Sequence, residues 1–140
     1  MIQAKELRIG NVIEANTPPM IVQAINKDSV ELYMPGSEAD NFEEDLEKCN
    51  GIPLTPEILE KCGFQKANND RWLIEMDGPH RHIEVIWYGL AKNIYVNLWE
   101  APELSSGEPI FYSIGGVKYL HQLQNLYWCL CGKELLINLH

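Results

Sequence analysis

Three β-rich runs in the middle of the chain limit its fold more than any other feature: "RWLIEM" (Arg71–Met76), "HIEVIWY" (His82–Tyr88) and "NIYVNLWE" (Asn93–Glu100). The connectors "DGPHR" and "GLAK" are far shorter than the roughly dozen residues a parallel crossover needs, so the runs are expected to pair as antiparallel neighbours. In the third run Ile94, Val96 and Leu98 alternate with Tyr95, Asn97 and Trp99. A strand of that pattern has one aliphatic face and one mixed aromatic and polar face. Beyond the loop "APELSSGEP", "IFYSI" (Ile110–Ile114) reads as a fourth strand, and "ELLINL" near the end reads as a returning edge strand.

A second β region opens the chain. "NVIEA" (Asn11–Ala15), "MIVQAI" (Met20–Ile25) and "SVELY" (Ser29–Tyr33) are separated by the turn signals "NTPP" and "NKD". This is a small meander shaped like half of an SH3-like barrel, a likeness of shape that carries no function. Two helices complete the pattern. In "LTPEILEKCGF" (Leu54–Phe64), Thr55 is placed to cap, Pro56 suits the first turn, and Gly63 is placed to end the helix. The longer helix lies in "YLHQLQNLYWCLCGKEL" (Tyr119–Leu135), with Gly132 as its stop. The fold class is therefore α+β with a mainly antiparallel sheet, one short helix and one longer helix. The chain has 140 residues, which suits a single domain: the meander at 1–34, an acidic loop at 35–51, and an α+β core at 52–140 with its C-terminal helix and strand. No internal repeat or low-complexity segment interrupts it.

Charge narrows function. The net charge is −9, from 20 acids and 11 bases, which opposes direct nucleic-acid binding because phosphate contacts need Lys and Arg. The segment Pro35–Gly51 holds six acids (Glu38, Asp40, Glu43, Glu44, Asp45, Glu47) against Lys48, and supplies −5 of that total. Its spacing does not fit a calcium loop, so a solvated loop or short exposed helix is the reading. Lys5, Glu6 and Arg8 interrupt any leader-like start, and no apolar run approaches the roughly 18 residues of a membrane span. A cytoplasmic protein with reduced thiols at Cys49, Cys62, Cys129 and Cys131 is expected, with no membrane partner.

Candidate chemistry is sparse. His80 and His82 stand two apart, the spacing of a metal-ligand pair on an extended strand, although a hairpin bend through Gly78 and Pro79 is the favoured reading of the stretch and no metal is assigned. Further ligands would have to come from His121, His140 or a distant acid. Cys129 and Cys131 diverge by roughly 200° on a helix and do not form a metal or redox pair. Gly115 and Gly116 stand just before the long helix, where free N–H groups suit an anion, or a plain turn. No nucleophile, dinucleotide or phosphate-loop motif is present. No catalytic residue and no cofactor are assigned.

On the long helix, Tyr119, Leu120, Leu123, Leu126, Tyr127 and Leu130 form an apolar stripe that reads as core. His121, Gln124, Asn125 and Trp128 occupy the opposite side without a single charge. A solvated helix face carries Glu and Lys, so this face is expected to be covered: by the chain itself, by a second copy, or by another protein.

"ELRIGN", "IPLTPEILEKCGF" and "KYLHQLQNLYWCLCGKEL" together resemble a family of short proteins of Bacteroides-type bacteria, often encoded among prophage or mobile-element genes. The resemblance implies no activity and transfers no catalytic residue. The chain departs from it at "WCLCGKEL", where relatives read more like "FALTGEEL", and in the acidic segment. The functional expectation is a non-enzymatic protein-binding or accessory module. The alternatives are an acidic decoy of DNA-binding proteins, and a small metal-dependent enzyme using His80, His82 and His121.

Overall fold

The computed structural model describes residues 2–15, 18–76, 78, 80–88, 93–101 and 108–139. Its strands are β1 (Val12–Ile13), β2 (Met20–Ile25), β3 (Ser29–Tyr33), β4 (Phe42–Asp45), β5 (Gln65–Asn68), β6 (Arg71–Glu75), β7 (Arg81–Tyr88), β8 (Asn93–Glu100) and β9 (Ile110–Gly116). The helices are α1 (Pro56–Lys61) and α2 (Leu120–Cys131). The strands form two sheets, ordered β1-β2-β3-β4 and β5-β6-β7-β8-β9, with every neighbour antiparallel. The α+β class and the mainly antiparallel pairing follow as expected. No helix among the described residues is long and apolar enough to cross a membrane.

The chain divides into two compact units. The first comprises Met1–Leu54, Tyr119–Leu135 and Leu139–His140, so it holds the four-stranded sheet and α2. The second comprises Thr55–Lys118 and Leu136–Asn138, and holds α1 and the five-stranded sheet.

In the first unit, Ile13, Met20, Val22, Val30 and Leu32 of the strands form one buried cluster with Ile2, Leu7, Leu46 and Cys49. Burying each such side chain is worth about 1.5–3 kcal/mol against leaving it wet, and this cluster is what makes a meander of short strands stable. Asn26 closes the β2–β3 hairpin by donating its backbone N–H to the Ser29 carbonyl at 2.9 Å.

Three local expectations are corrected here. The acidic segment is not all loop: Phe42–Asp45 pairs with β3 as the edge strand β4, because Phe42 stands opposite Leu32 and Glu44 opposite Val30 in register. Gln65–Asn68 adds a strand, β5, that its polar sequence did not announce. The expected strand in "ELLINL" is absent among the described residues, where 133–139 carries no ladder and Glu134 pairs with Arg8 instead. The "NTPP" turn before β2 and the "GLAK" connector fall partly or wholly at residues 16–17 and 89–92, outside the described residues.

In the second unit, Thr55 caps α1 by accepting from the Ile58 N–H at 3.2 Å, and Gly63 takes φ 89° as the helix ends. The Phe64 N–H then returns to the Leu59 carbonyl at 3.0 Å, as the Pro/Gly punctuation of this stretch predicts. In the sheet, Trp72, Val85 and Val96 stand in register across three strands, with Ile83 beside Leu98, and all five are buried. The alternate residues Arg71, Glu84, Ile86, Tyr88, Tyr95, Asn97 and Trp99 therefore share the other face.

Candidate functional site

The uncharged face of α2 is covered within its own unit, by the chain from Glu6 to Val12. Gly10 takes φ 96° in the turn from Arg8 to Asn11, a conformation open to glycine, and the chain then enters β1 alongside α2. Gln124 is 1% exposed. Its Oε1 accepts from the Val12 N–H at 2.9 Å, and its Nε2 donates to the Gly10 carbonyl at 3.4 Å. Asn125 donates to the Glu6 carbonyl and accepts from the Asn11 side chain, both at 2.8 Å. His121 is fully buried, with Nε2 3.1 Å from a Glu6 carboxylate oxygen and its ring stacked on Tyr119.

Trp128 sits at the rim of this face, 42% exposed, with the Arg8 guanidinium carbon 4.8 Å from its ring centre. Arg8 also forms a two-pronged ion pair with Glu134. The hydrogen bonds that Arg8 donates to Glu134 raise its already high pKa further, against the opposing effect of burial. Gln124 acts as an edge partner for β1 and Asn125 for the chain leading into it: unpaired backbone groups need donors and acceptors, and amides supply both without the cost of a buried charge. A close approach completes the packing. A Cβ at Gly51 would lie 2.6 Å from Tyr119 Cγ and 2.9 Å from His121 Cε1, so only glycine fits. Leu120, Leu123 and Tyr127 are buried on the stripe as expected, so α2 is enclosed on two sides.

The second unit presents a different surface. The face of β6–β9 bearing Arg71, Glu84, Tyr95, Asn97, Trp99 and Phe111 is a shallow concave surface that lines an open pocket of about 750 Å³. Its base is polar. Glu84 is 3% exposed, and its Oε2 accepts from Arg71 Nε at 2.7 Å while Oε1 accepts from Asn97 Nδ2 at 2.9 Å. Its walls are aromatic: Tyr88 packs edge-on against Tyr95 at 6.0 Å, and Trp99 against Phe111 at 5.0 Å. Arg71 also lies 5.9 Å from the Trp99 ring centre, near the outer limit of a cation–π contact. Tyr88, Tyr95 and Phe111 remain exposed, and the Trp99 indole N–H has no acceptor among the described residues. Both carboxylate oxygens of Glu84 are engaged, so this group braces the sheet and is not poised as a base.

The remaining candidates do not come together. His82 lies on β7 between Glu75 and Trp99 in register, whereas His80 sits in the turn before it and uses its carbonyl to accept from the Ala101 N–H at 2.7 Å. The same-face pairing expected for them therefore fails, because only one is on the strand. His140 lies outside the described residues. Among the described residues no three His, Cys, Asp or Glu side chains are grouped to hold a metal ion. Cys129 is exposed, while Cys131 turns to donate to the Tyr127 carbonyl at 3.2 Å, so the two diverge as the helix geometry requires. Gly115 and Gly116 belong to β9 and not to a free anion-binding turn. Cys49 and Cys62 are buried thiols; desolvation pushes Cys49 up to about 11 and Cys62 to about 12.

The concave face was not singled out from sequence, although one signal points to it. Glu84 interrupts the apolar run "HIEVIWY", and a buried strand tolerates a charge only with a partner, which Arg71 supplies from the next strand. No protein-family model, curated protein or solved structure matches this chain.

Proposed function

We propose that this chain is a non-enzymatic binding module whose contact surface is the concave face of the five-stranded sheet, and that its partner is a protein. One observation carries the reading. The groups that catalysis would require, Glu84 and Arg71, are spent on each other at the base, while the groups that make good contacts stand open around them. Tyr, Trp, Phe and Arg are the residues enriched at the energetic centres of protein interfaces. The partner would bring apolar side chains to the exposed aromatic walls formed by Tyr88, Tyr95 and Phe111. The resemblance to prophage-associated proteins adds a mobile-element setting to this proposal.

The test is affinity capture from the native host with mass spectrometry, using three baits: the unaltered chain, Tyr88→Ala/Tyr95→Ala, and Trp128→Ala. Both tyrosines are exposed, so the double variant keeps its fold, which circular dichroism checks. Loss of an interfacial aromatic anchor costs about 2 kcal/mol or more in binding. The proposal expects a protein that the double variant releases and Trp128→Ala retains. A partner that survives the double substitution, or that Trp128→Ala alone releases, contradicts it.

A further inference from the structure

The register of the five-stranded sheet sorts its open face into rows that run across the strands. Glu84, Asn97 and Ser113 stand opposite one another on β7, β8 and β9. Glu84 and Asn97 are buried, so this row is a low polar floor. Ile86 and Tyr95 form the row on one side, extended by Tyr88, and Trp99 and Phe111 form the row on the other. The face is therefore a shallow trough crossing the strands between two walls. Tyr95 and Trp99 are four residues apart on β8, which sets the walls about 13 Å apart at their roots. From β7 to β9 the floor spans two strand spacings, about 9.5 Å.

The polar groups of the trough are of unequal kinds. Among the described lining residues the only carboxylate is Glu84, which is buried with both oxygens taken, by Arg71 and by Asn97. Arg71 turns its Nε and Nη2 to Glu84 and stays one-third exposed, so a guanidinium with more donors than one carboxylate takes keeps N–H groups open. Exposed Asn93 and Ser113 add an amide and a hydroxyl. The charged acceptor is spent, while charged and neutral donors remain.

We propose that the partner meets this trough with a proline-rich segment, lying across β7–β9 as a polyproline II helix. The proposal rests on the reading that the face takes a protein. Complementarity of charge selects the segment. Each proline carries a carbonyl oxygen and no N–H, so the segment is rich in acceptors and poor in the donors that a spent floor could not receive. A polyproline II backbone makes no internal hydrogen bonds, and its carbonyls are free to accept from Arg71, Asn93 and Ser113. Its rigid apolar rings suit the walls of Tyr88, Tyr95 and Phe111, the aromatic-groove mode of recognition, at low cost in ordering. One turn of this helix rises about 9.3 Å, which matches the floor from β7 to β9. The other occupants fit less well. A regular strand brings a donor at every residue, a sugar's hydroxyls need acceptors as well as donors, and a basic segment needs an open carboxylate.

The test is an amide NMR titration of the full chain with an uncharged oligoproline of about nine residues, roughly three turns, beside a Gly/Ser peptide of the same length. Three variants accompany it: Tyr88→Ala/Tyr95→Ala, Ser113→Asp, and Trp128→Ala, with circular dichroism to check each fold. The oligoproline is expected to shift amides of β7, β8 and β9 and to bind about tenfold or more tighter than the Gly/Ser peptide. The double tyrosine variant is expected to weaken it by about tenfold or more. Ser113→Asp sets a negative acceptor against the segment's carbonyls and is expected to weaken it as well, whereas Trp128→Ala leaves it unchanged. An oligoproline no tighter than the Gly/Ser peptide, binding that survives the double tyrosine variant, or binding that Ser113→Asp strengthens each overturns the proposal. If the oligoproline fails while a captured protein is still released by Tyr88→Ala/Tyr95→Ala, the proline assignment falls and the binding face stands. If both fail, the face falls with it.

Discussion

Replacing Gln124 tests whether the uncharged face of α2 is an internal brace. Gln124→Leu keeps the volume and removes both amide bonds, which leaves the Val12 N–H buried without a partner and the Gly10 carbonyl unpaired in a half-buried place. The orphaned Val12 N–H costs about 1–3 kcal/mol and the half-buried Gly10 carbonyl, with its 3.4 Å bond, about 1 kcal/mol or less, so a loss of about 1–4 kcal/mol follows. That is a large share of the stability of a small domain. Urea unfolding followed by Trp fluorescence reads the loss as a lower midpoint at unchanged slope. Hydrogen exchange reads it at one atom: the Val12 amide is protected in the parent and exposed in the variant. Gln124→Glu sharpens the test. Its carboxylate accepts from Val12 but faces the Gly10 carbonyl with no proton to offer. The folded state therefore raises its pKa, and the stability it retains at low pH is lost as pH rises through that value. A Gln124→Leu protein within about 0.5 kcal/mol of the parent, with Val12 still protected, would refute the reasoning.

Three further outcomes follow from the same geometry. Gly51→Ala forces a methyl group into Tyr119 and His121 and is expected to cost about 1–3 kcal/mol in the same urea assay, the range for overpacking a tight site. Arg71→Ala strands the buried Glu84 carboxylate; because Arg71 is one-third exposed and water reaches it, the expected loss is about 2–3 kcal/mol, below that of a fully buried pair. For the thiols, alkylation of the native chain is expected at exposed Cys129 and not at Cys49 or Cys62 until urea opens the fold. Since folding raises both buried thiols, to about 11 and about 12, their contribution to stability is whole below the unfolded thiol pKa and is lost as pH climbs through those values; alkaline unfolding in Cys49→Ala/Cys62→Ala should be correspondingly shallower.

Much of this fold was legible in the sequence because its signals are local. The alternation of Ile94, Val96 and Leu98, the Thr55–Pro56 start, and the Gly63 and Gly132 stops each depend on neighbours a few residues away. What the sequence could not display was long-range pairing. β4 looks like an acidic loop until β3 is placed beside it, and β5 has no apolar pattern at all. The face of α2 was recognisable as covered because it lacks charge. Its cover, Glu6 to Val12, lies more than 100 residues away in sequence, and no periodicity reveals it. The concave face was hidden for the opposite reason: Tyr88, Tyr95, Trp99 and Phe111 are ordinary strand residues one by one, and only the register of β7, β8 and β9 gathers them around Glu84.

The central claim is that partners meet the sheet of the second unit and not the helix of the first. Oxidative footprinting of the chain, free and in complex with the captured partner, tests it most directly. The predicted result is loss of reactivity at Tyr88 and Tyr95 with Trp128 unchanged. Protection of Trp128, with Tyr88 and Tyr95 still reactive, would contradict it.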